Sequence, residues 1–415
     1  MPILVHVDDL EPGMCLASNI INRFSVLLPH GHTISEKDIA SLKRLTPDSM
    51  IQVVDPLLDQ IVEFQDDSHD QNVSRVVRKN VASVIGKVGS NIRSGVHLTR
   101  ENIAGMQKVI HEMLQYLQDN PVTMAVIEQS SGWDDYLQQH SAGVFYLSLV
   151  IGNTIRNYIK GERERLSSAK SIYNAMNLAP LATAALFHDI GMVPLEHIYS
   201  KDEPLTDEEK EMIRAHPITG AEMLPDQIHP MAKKTIREHH ENQNGTGYPN
   251  SLPGEKISIF ARIIRIADAY SAAISQKVYQ QAKSPASVLY EMLYGRFRSC
   301  YDPVILKVFT SIVPPFPIGA KVQLQNDFWA VVVEHNHRSP FKPQVIVAFD
   351  QWGDPLPEEQ INAPVPLGST DDLRIKSFAG EDLSFLNNLE SDDSDPLADA
   401  PLEQTFSELL DFALP

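Results

Sequence analysis

Cysteine is nearly absent from this chain of 415 residues. Cys15 and Cys300 are the only two, which excludes a disulfide framework and a thiolate zinc cluster, so any bound metal must take nitrogen and oxygen ligands. Basic residues are scarce as well: 35 Lys and Arg stand against 54 Asp and Glu, a formal net charge of −19. That balance excludes broad attraction to nucleic-acid backbones. Long apolar runs are missing too. The longest nearly apolar stretch, AGVFYLSLVIG at residues 142–152, falls well short of the roughly 20 residues a spanning helix needs. The N-terminus lacks the basic and apolar segments of a signal peptide. Together these absences predict a soluble, cytoplasmic protein that partners neither a nucleic-acid polymer nor a membrane.

What is present begins with a hydrophobic content of 43%, enough for a sizeable core with smaller attachments. About half of the charge excess is local. From residue 370 onward there are 12 acidic and 2 basic side chains, a net of −10, and residues 366–415 read as an acidic, disordered tail. Within it FSELLDF places Phe406, Leu409, Leu410 and Phe412 on one face of a short helix that can dock elsewhere. Residues 1–65 read as a small α/β module: ILVHV is a strand, EPGM a turn, SEKDIASLKRL a helix capped by Ser35, and MIQVV a further strand. DDSHDQN at 66–72 is a polar linker, and residues 66–124 form a linker and helical connector. The pattern is helical from Val73 to about residue 311. Residues 318–365 return to strand-like alternation in KVQLQ, FWAVVVEH and QVIVAF.

The helical centre holds the chemistry. His140, Val144, Leu147, Ile151, Ile155 and Tyr158 recur at spacings of three and four, which turns His140 inward on an amphipathic helix. PLATAALFHDIG begins with Pro180 in a first helical turn and stops at Gly191, read as a C-terminal cap. His188 and Asp189 end this apolar helix, where a carboxylate needs a partner or a metal. In TDEEKEMIRAHP, Thr206 and Glu209 form a capping box and His216 falls in the last turn before Pro217. His239 and His240 follow in a helix opened by Pro230, about 100° apart. Asp268 lies within the apolar helix ISIFARIIRIADAYSAAIS. Five histidines and two aspartates on buried helical faces match the demand of a two-metal hydrolytic site.

HDIG, HHENQNGTGYP and ARIIRIADAY, in this order and spacing, resemble the HD-GYP family of the HD phosphohydrolase superfamily. The resemblance spans residues 125–311. It implies a mainly α fold: a helical bundle flanked by the small N-terminal α/β module, the small C-terminal β segment and the acidic tail. It also implies hydrolysis of cyclic di-GMP to pGpG or GMP by a hydroxide bridging two divalent ions, iron or manganese. By position the metal ligands are His140, His188, Asp189, His216, His239, His240 and Asp268, with His188 and Asp189 central to catalysis and Asp189 bridging. Tyr136 stands where three-metal relatives carry a glutamate, so two ions are expected. Tyr248, Gly247, Asn244 and Lys277 fall at substrate-binding positions. GGDEF-type diguanylate cyclases, which pair with relatives through the Gly-Tyr-Pro loop, are candidate partners, and a homo-oligomer is another candidate assembly.

This chain departs from the family pattern at several positions. Met192 replaces the lysine that contacts the scissile phosphate, Asn244 replaces an aspartate, Ser271, Ala272 and Ala273 replace Asp-Ala-Leu, Lys277 replaces an arginine and keeps its charge without the bidentate fork, and Gln280 replaces a second basic residue and loses the charge. Two functions therefore stay open: an active phosphodiesterase, or a catalytically weak or inactive module that senses a cyclic dinucleotide or scaffolds a protein partner.

Overall fold

The structure, a computed structural model, describes residues 2–17, 20–22, 25–45, 50–54, 68–95, 99–119, 136–166, 176–201, 203–275, 283–336 and 339–389. The protein is mainly α, with a small antiparallel sheet toward the C-terminus. It divides into two compact units, one holding residues 2–54, 283–290 and 313–389, the other Ser68–Ala273 and Glu291–Ile312.

In the first unit, β1 (Pro2–His6), β2 (Cys15–Leu16) and β5 (Met50–Val54) form a three-stranded sheet in the order β1-β5-β2, while β3 (Ile20–Asn22) and β4 (Ser25–Leu28) make a separate hairpin. Helix α1 (Glu36–Leu45) follows the Ser35 cap and buries Leu42. The C-terminal sheet has six strands in the order β11-β10-β6-β7-β8-β9: β6 (Lys321–Leu324), β7 (Trp329–Glu334), β8 (Gln344–Phe349), β9 (Val365–Pro366), β10 (Ile375–Phe378) and β11 (Glu381–Asp382). Val331 pairs with Ile346 and Val332 with Val345. Because successive side chains point to opposite faces, the run WAVVVE divides between two cores. Val331, with Ile346, Ala348 and Phe349 of β8, packs against Val5, Leu16, Leu42 and Val53 of the N-terminal segment. Ala330 and Val332 pack with Val322, Leu324, Ile375 and Phe378 on the other face. A sheet covered on both sides needs apolar residues on both sides, which explains a run too continuous for simple alternation.

Two boundaries differ from expectation. The sheet takes in β10 and β11 and is followed by ordered residues through Leu389, so the folded chain reaches well into the segment read as tail; Phe406, Leu409, Leu410 and Phe412 lie outside the described residues. Helix α2 starts at Ser68, inside the polar stretch read as linker.

The second unit is the helical bundle. Its elements are α2 (Ser68–Arg93), α3 (Arg100–Asp119), α4 (Tyr136–Thr154), α5 (Arg156–Leu166), α6 (Ala179–Phe187), the short α7 (Glu196–Tyr199), α8 (Asp207–Arg214), α9 (His216–Met223), α10 (Pro230–Glu238) and α11 (Ile259–Ile274); α12 (Pro285–Tyr294), most of which belongs to the first unit, and α13 (Pro303–Ile312) in the second complete the helices. The long helix read from His140 to Tyr158 is interrupted at Ile155, and residues 140–152 are buried on every face rather than along one stripe. Helix α6 is likewise buried from Pro180 to Phe187. Among the described residues no helix is long and apolar enough to cross a membrane.

Candidate metal centre

The cluster is built at helix ends. Apolar α6 stops at Phe187 and delivers His188 as its C-cap, with Asp189 next. His239 is the C-cap of α10, with His240 beside it just beyond the helix. His216 does not close α8, as its sequence position suggested. It opens α9, because Pro217 is tolerated in the first turn of a helix but not within one. Gly191 is no C-cap either. It lies inside the tight 3-10 segment Ile190–Leu195, where an added Cβ would stand 2.3 Å from the His216 carbonyl oxygen and 2.8 Å from the Gly220 nitrogen. Glycine here lets the HD turn approach α9.

Three histidines are oriented by one repeated device. Nδ1 of His188, His216 and His239 donates to the backbone carbonyl three residues earlier, at 3.0 Å to Ala185, 2.7 Å to Ile213 and 2.6 Å to Ile236. A neutral imidazole with its proton on Nδ1 carries a lone pair on Nε2. The Nε2 atoms converge on Asp189. Its Oδ1 lies 3.1 Å from His216 Nε2 and 3.7 Å from His239 Nε2, and its Oδ2 lies 3.4 Å from His188 Nε2 and 3.6 Å from His140 Nε2. Asp268 closes the ring, with Oδ1 3.0 Å from His140 Nε2 and Oδ2 3.7 Å from His240 Nδ1. The donor atoms form two overlapping groups that share Asp189, one with His216, His239 and His240, the other with His140 and His188.

The chemistry of this donor set fits metal ions. His216 Nε2 faces His239 Nε2 at 3.2 Å, and two lone pairs at that separation repel unless a cation lies among them. Burial and neighbouring imidazoles hold the pKa of His239 below the usual value, and burial with His239 holds that of His240 well below, so both stay neutral and able to ligate. Burial opposes charge on His188 as well, yet the Asp189 carboxylate overrides it and raises His188 to about 9. Burial opposes ionisation of both aspartates, but His188 keeps Asp189 well below the ordinary carboxylate range and His140 does the same for Asp268. Two ionised carboxylates among inward imidazoles suit a divalent cation with mixed oxygen and nitrogen ligands.

The Gly-Tyr-Pro segment walls one side. A Cβ on Gly247 would stand 2.3 Å from the Asn242 nitrogen and 2.5 Å from the His240 carbonyl oxygen, so the loop can lie against the histidine pair only with glycine there. Tyr248 then stacks on His240, with ring centroids 4.7 Å apart and planes at 26°. Burial pushes its phenol pKa up, and the hydroxyl remains a hydrogen-bond donor at neutral pH.

Residues 159–305 match the model of the HD domain family. Over that segment the chain resembles the HD domain. It is 33% identical over 211 residues to a cyclic di-GMP phosphodiesterase of Pseudomonas aeruginosa and 28% identical over 208 residues to the cyclic di-GMP phosphodiesterase PdeB of Borreliella burgdorferi, each alignment covering 50% of either chain. It is also 35% identical over 128 residues to the 3'3'-cGAMP-specific phosphodiesterase 3 of Vibrio cholerae, covering 30% of this chain and 27% of that relative. The chain spans about half the length of the first two relatives.

In this site all seven histidines and aspartates singled out from the sequence come together, and Tyr248 and Gly247 adjoin them. Asn244 does not join them. Its Oδ1 accepts from the Thr246 nitrogen and hydroxyl at 3.1 and 2.7 Å, and its Nδ2 donates to Ser299 at 2.9 Å, so it holds the loop's shape. Lys277 and Gln280 lie outside the described residues. Met192 is half-buried, its backbone nitrogen donating to the Asp189 carbonyl at 2.8 Å.

Two contributors were missed. Buried Glu241 accepts from the backbone nitrogens of Asn250 at 2.7 Å and Leu252 at 2.9 Å, and so shapes the Gly-Tyr-Pro loop; its place directly after the histidine pair was the available signal. Ser271 was read only as a departure from the family pattern, yet its hydroxyl lies 3.1 Å from His140 Nδ1 and orients that ring. Groups that orient metal-binding histidines typically set affinity by about 10- to 100-fold. Ser271→Ala is therefore expected to weaken manganese(II) binding about tenfold, read by metal content after dialysis against graded metal; unchanged affinity would mean that the bond orients nothing.

Proposed function

We propose that this chain is a metal-dependent phosphodiesterase that hydrolyses cyclic di-GMP, or a related 3',3'-cyclic dinucleotide, to the linear dinucleotide pGpG, with GMP after a second cut. The observation that carries this reading is the convergence of imidazole nitrogens on both oxygens of one buried carboxylate, Asp189. The names of the relatives support the substrate class, since they cover cyclic di-GMP and 3'3'-cGAMP.

Two divalent ions, iron or manganese, would be held by His216, His239 and His240 on the Oδ1 side of Asp189 and by His140 and His188 on its Oδ2 side, with Asp268 between His140 and His240. Bound there, such ions supply positive charge to phosphoryl oxygens and acidify water. The protein's own groups prepare that chemistry. The carbonyls of Ala185, Ile213 and Ile236 hold the ring protons on Nδ1, Asp189 spans the donor groups, and the Tyr248 hydroxyl offers a donor at the wall. In the reaction water adds to phosphorus, the P–O3' bond breaks, and the proton released from water goes to the departing O3'.

Met192 favours a second reading. A half-buried thioether stands where a lysine would neutralise the scissile phosphate, and a missing transition-state donor costs roughly 3 kcal/mol. A weak or inactive site would make the chain a cyclic dinucleotide sensor or a scaffold, with GGDEF-type cyclases or a second copy as candidate partners. A single-turnover assay separates the readings. Protein loaded anaerobically with iron(II), or with manganese(II), is expected to convert cyclic di-GMP to pGpG or GMP, and Met192→Lys to accelerate conversion about tenfold or more. Binding of intact cyclic di-GMP without cleavage by either loaded form would transfer the assignment to the sensor.

A further inference from the structure

The cluster is bordered by two arginines that the donor set does not use. Arg265 precedes Asp268 by three residues on α11, so the two side chains leave the same helix face. Its Nε donates to Asn242 Oδ1 at 2.9 Å, and its guanidinium lies 5.3 Å from the Tyr301 ring centroid. The side chain is thus tethered at one nitrogen and supported along its plane. Arg214, the last residue of α8 and two before His216, places its guanidinium 5.8 Å from the centroid of Tyr248, the ring that stacks on His240. Its ion pair with Glu211 is loose, at 3.6 Å between exposed side chains, and holds it weakly. Arg214 thus reaches the Gly-Tyr-Pro wall through Tyr248, and Arg265 reaches the segment after the histidine pair through Asn242, so both cations border the metal centre.

Resting on the phosphodiesterase reading, we propose that Arg265 and Arg214 bind the phosphate of a cyclic dinucleotide that is not being cleaved, so that the site selects diesters carrying two phosphates. Such a substrate brings two anions. The metal centre accounts for the one under attack, while Asp189 and Asp268 repel the other. A guanidinium fork matches the remaining phosphate in charge and shape, and the Asn242 and Tyr301 contacts set Arg265 in place before the ligand arrives, which lowers the ordering cost of binding.

The test compares cyclic di-GMP with bis(4-nitrophenyl) phosphate, a diester with one phosphate, on the manganese(II)-loaded full chain and its Arg265→Ala, Arg265→Lys and Arg214→Ala variants. Each alanine variant is expected to raise KM for cyclic di-GMP about tenfold, the loss of one charge-assisted hydrogen bond, with a clearly smaller change for the one-phosphate diester; Arg265→Lys should recover part of the loss. Equal effects on both substrates, or no effect on either, would overturn the assignment. Calorimetric titration of cyclic di-GMP into the same proteins reads the proposal independently of turnover. A wild-type chain that binds but does not cleave, with binding weakened in the arginine variants, would sink the enzyme reading and keep the phosphate site. A wild-type chain that neither binds nor cleaves would sink both.

Discussion

On the proposed phosphodiesterase function, Asp189→Asn is expected to abolish metal retention and lower single-turnover hydrolysis of cyclic di-GMP by about 10³-fold or more, at or beyond the upper end of what removal of one electrostatic transition-state contact produces. The substitution keeps the volume and part of the hydrogen-bonding capacity but removes the one anion that faces four imidazoles, at 3.1 to 3.7 Å. An amide presents one oxygen where the carboxylate presents two, so it cannot serve the His140 and His188 side and the His216 and His239 side alike. Elemental analysis of the purified variant and chromatography of the reaction products give the two readouts. Metal content equal to wild type with turnover within a few-fold would mean that Asp189 spans nothing, and the two-ion arrangement would have to be abandoned.

The second large effect concerns stability. Arg262→Met is expected to destabilise the helical unit by about 3–5 kcal/mol, the usual result of removing one partner from a buried ion group. Arg262 donates through Nη1 to Asp302 at 2.7 Å and through Nη2 to Glu162 at 2.6 Å, and the side chains are only 4%, 2% and 10% exposed. Tyr158 adds a hydroxyl bond to Asp302 at 3.3 Å. Asp302 also accepts from the backbone nitrogens of Val304 and Ile305 at the start of α13, so one network ties α5, α11 and α13 together. Loss of the guanidinium leaves two buried carboxylates facing each other. Adding Glu162→Gln and Asp302→Asn to Arg262→Met should recover much of the stability, because the cost lies in the unpaired charges. Urea denaturation of the three proteins measures this, and a single variant as stable as wild type would show that the network contributes no net stability.

The helix that carries Asp268 also carries Arg262 and Arg265, and the reading of each shows how far sequence reaches. Asp268 was legible because an acid in an apolar helix needs a partner, and the partners are nearby histidines. Arg262 and Arg265 passed unnoticed. A basic residue in a helix is usually a solvated one, and only the packing shows Arg262 enclosed by residues 40 and 100 positions away. His216 shows the same limit at smaller scale. Its presence in the site was legible from the motif set, but its place at the start of α9 was not, because a proline after it is compatible with either ending one helix or beginning the next.

By itself the sequence determined the chemical type of this protein. Scarcity of cysteine left nitrogen and oxygen as metal ligands, and five histidines with two aspartates at motif spacing named the donor set; apolar helices placed most of it inside. Those are local properties, written in residue type and periodicity. Tertiary structure alone decided how the imidazole nitrogens divide over the two oxygens of Asp189, why Gly191 and Gly247 have to be glycine, and that one face of the C-terminal sheet is covered by the N-terminal segment. Each of these depends on distances between atoms far apart along the chain. Side-chain pattern says that a surface must be buried, whereas only packing says against what.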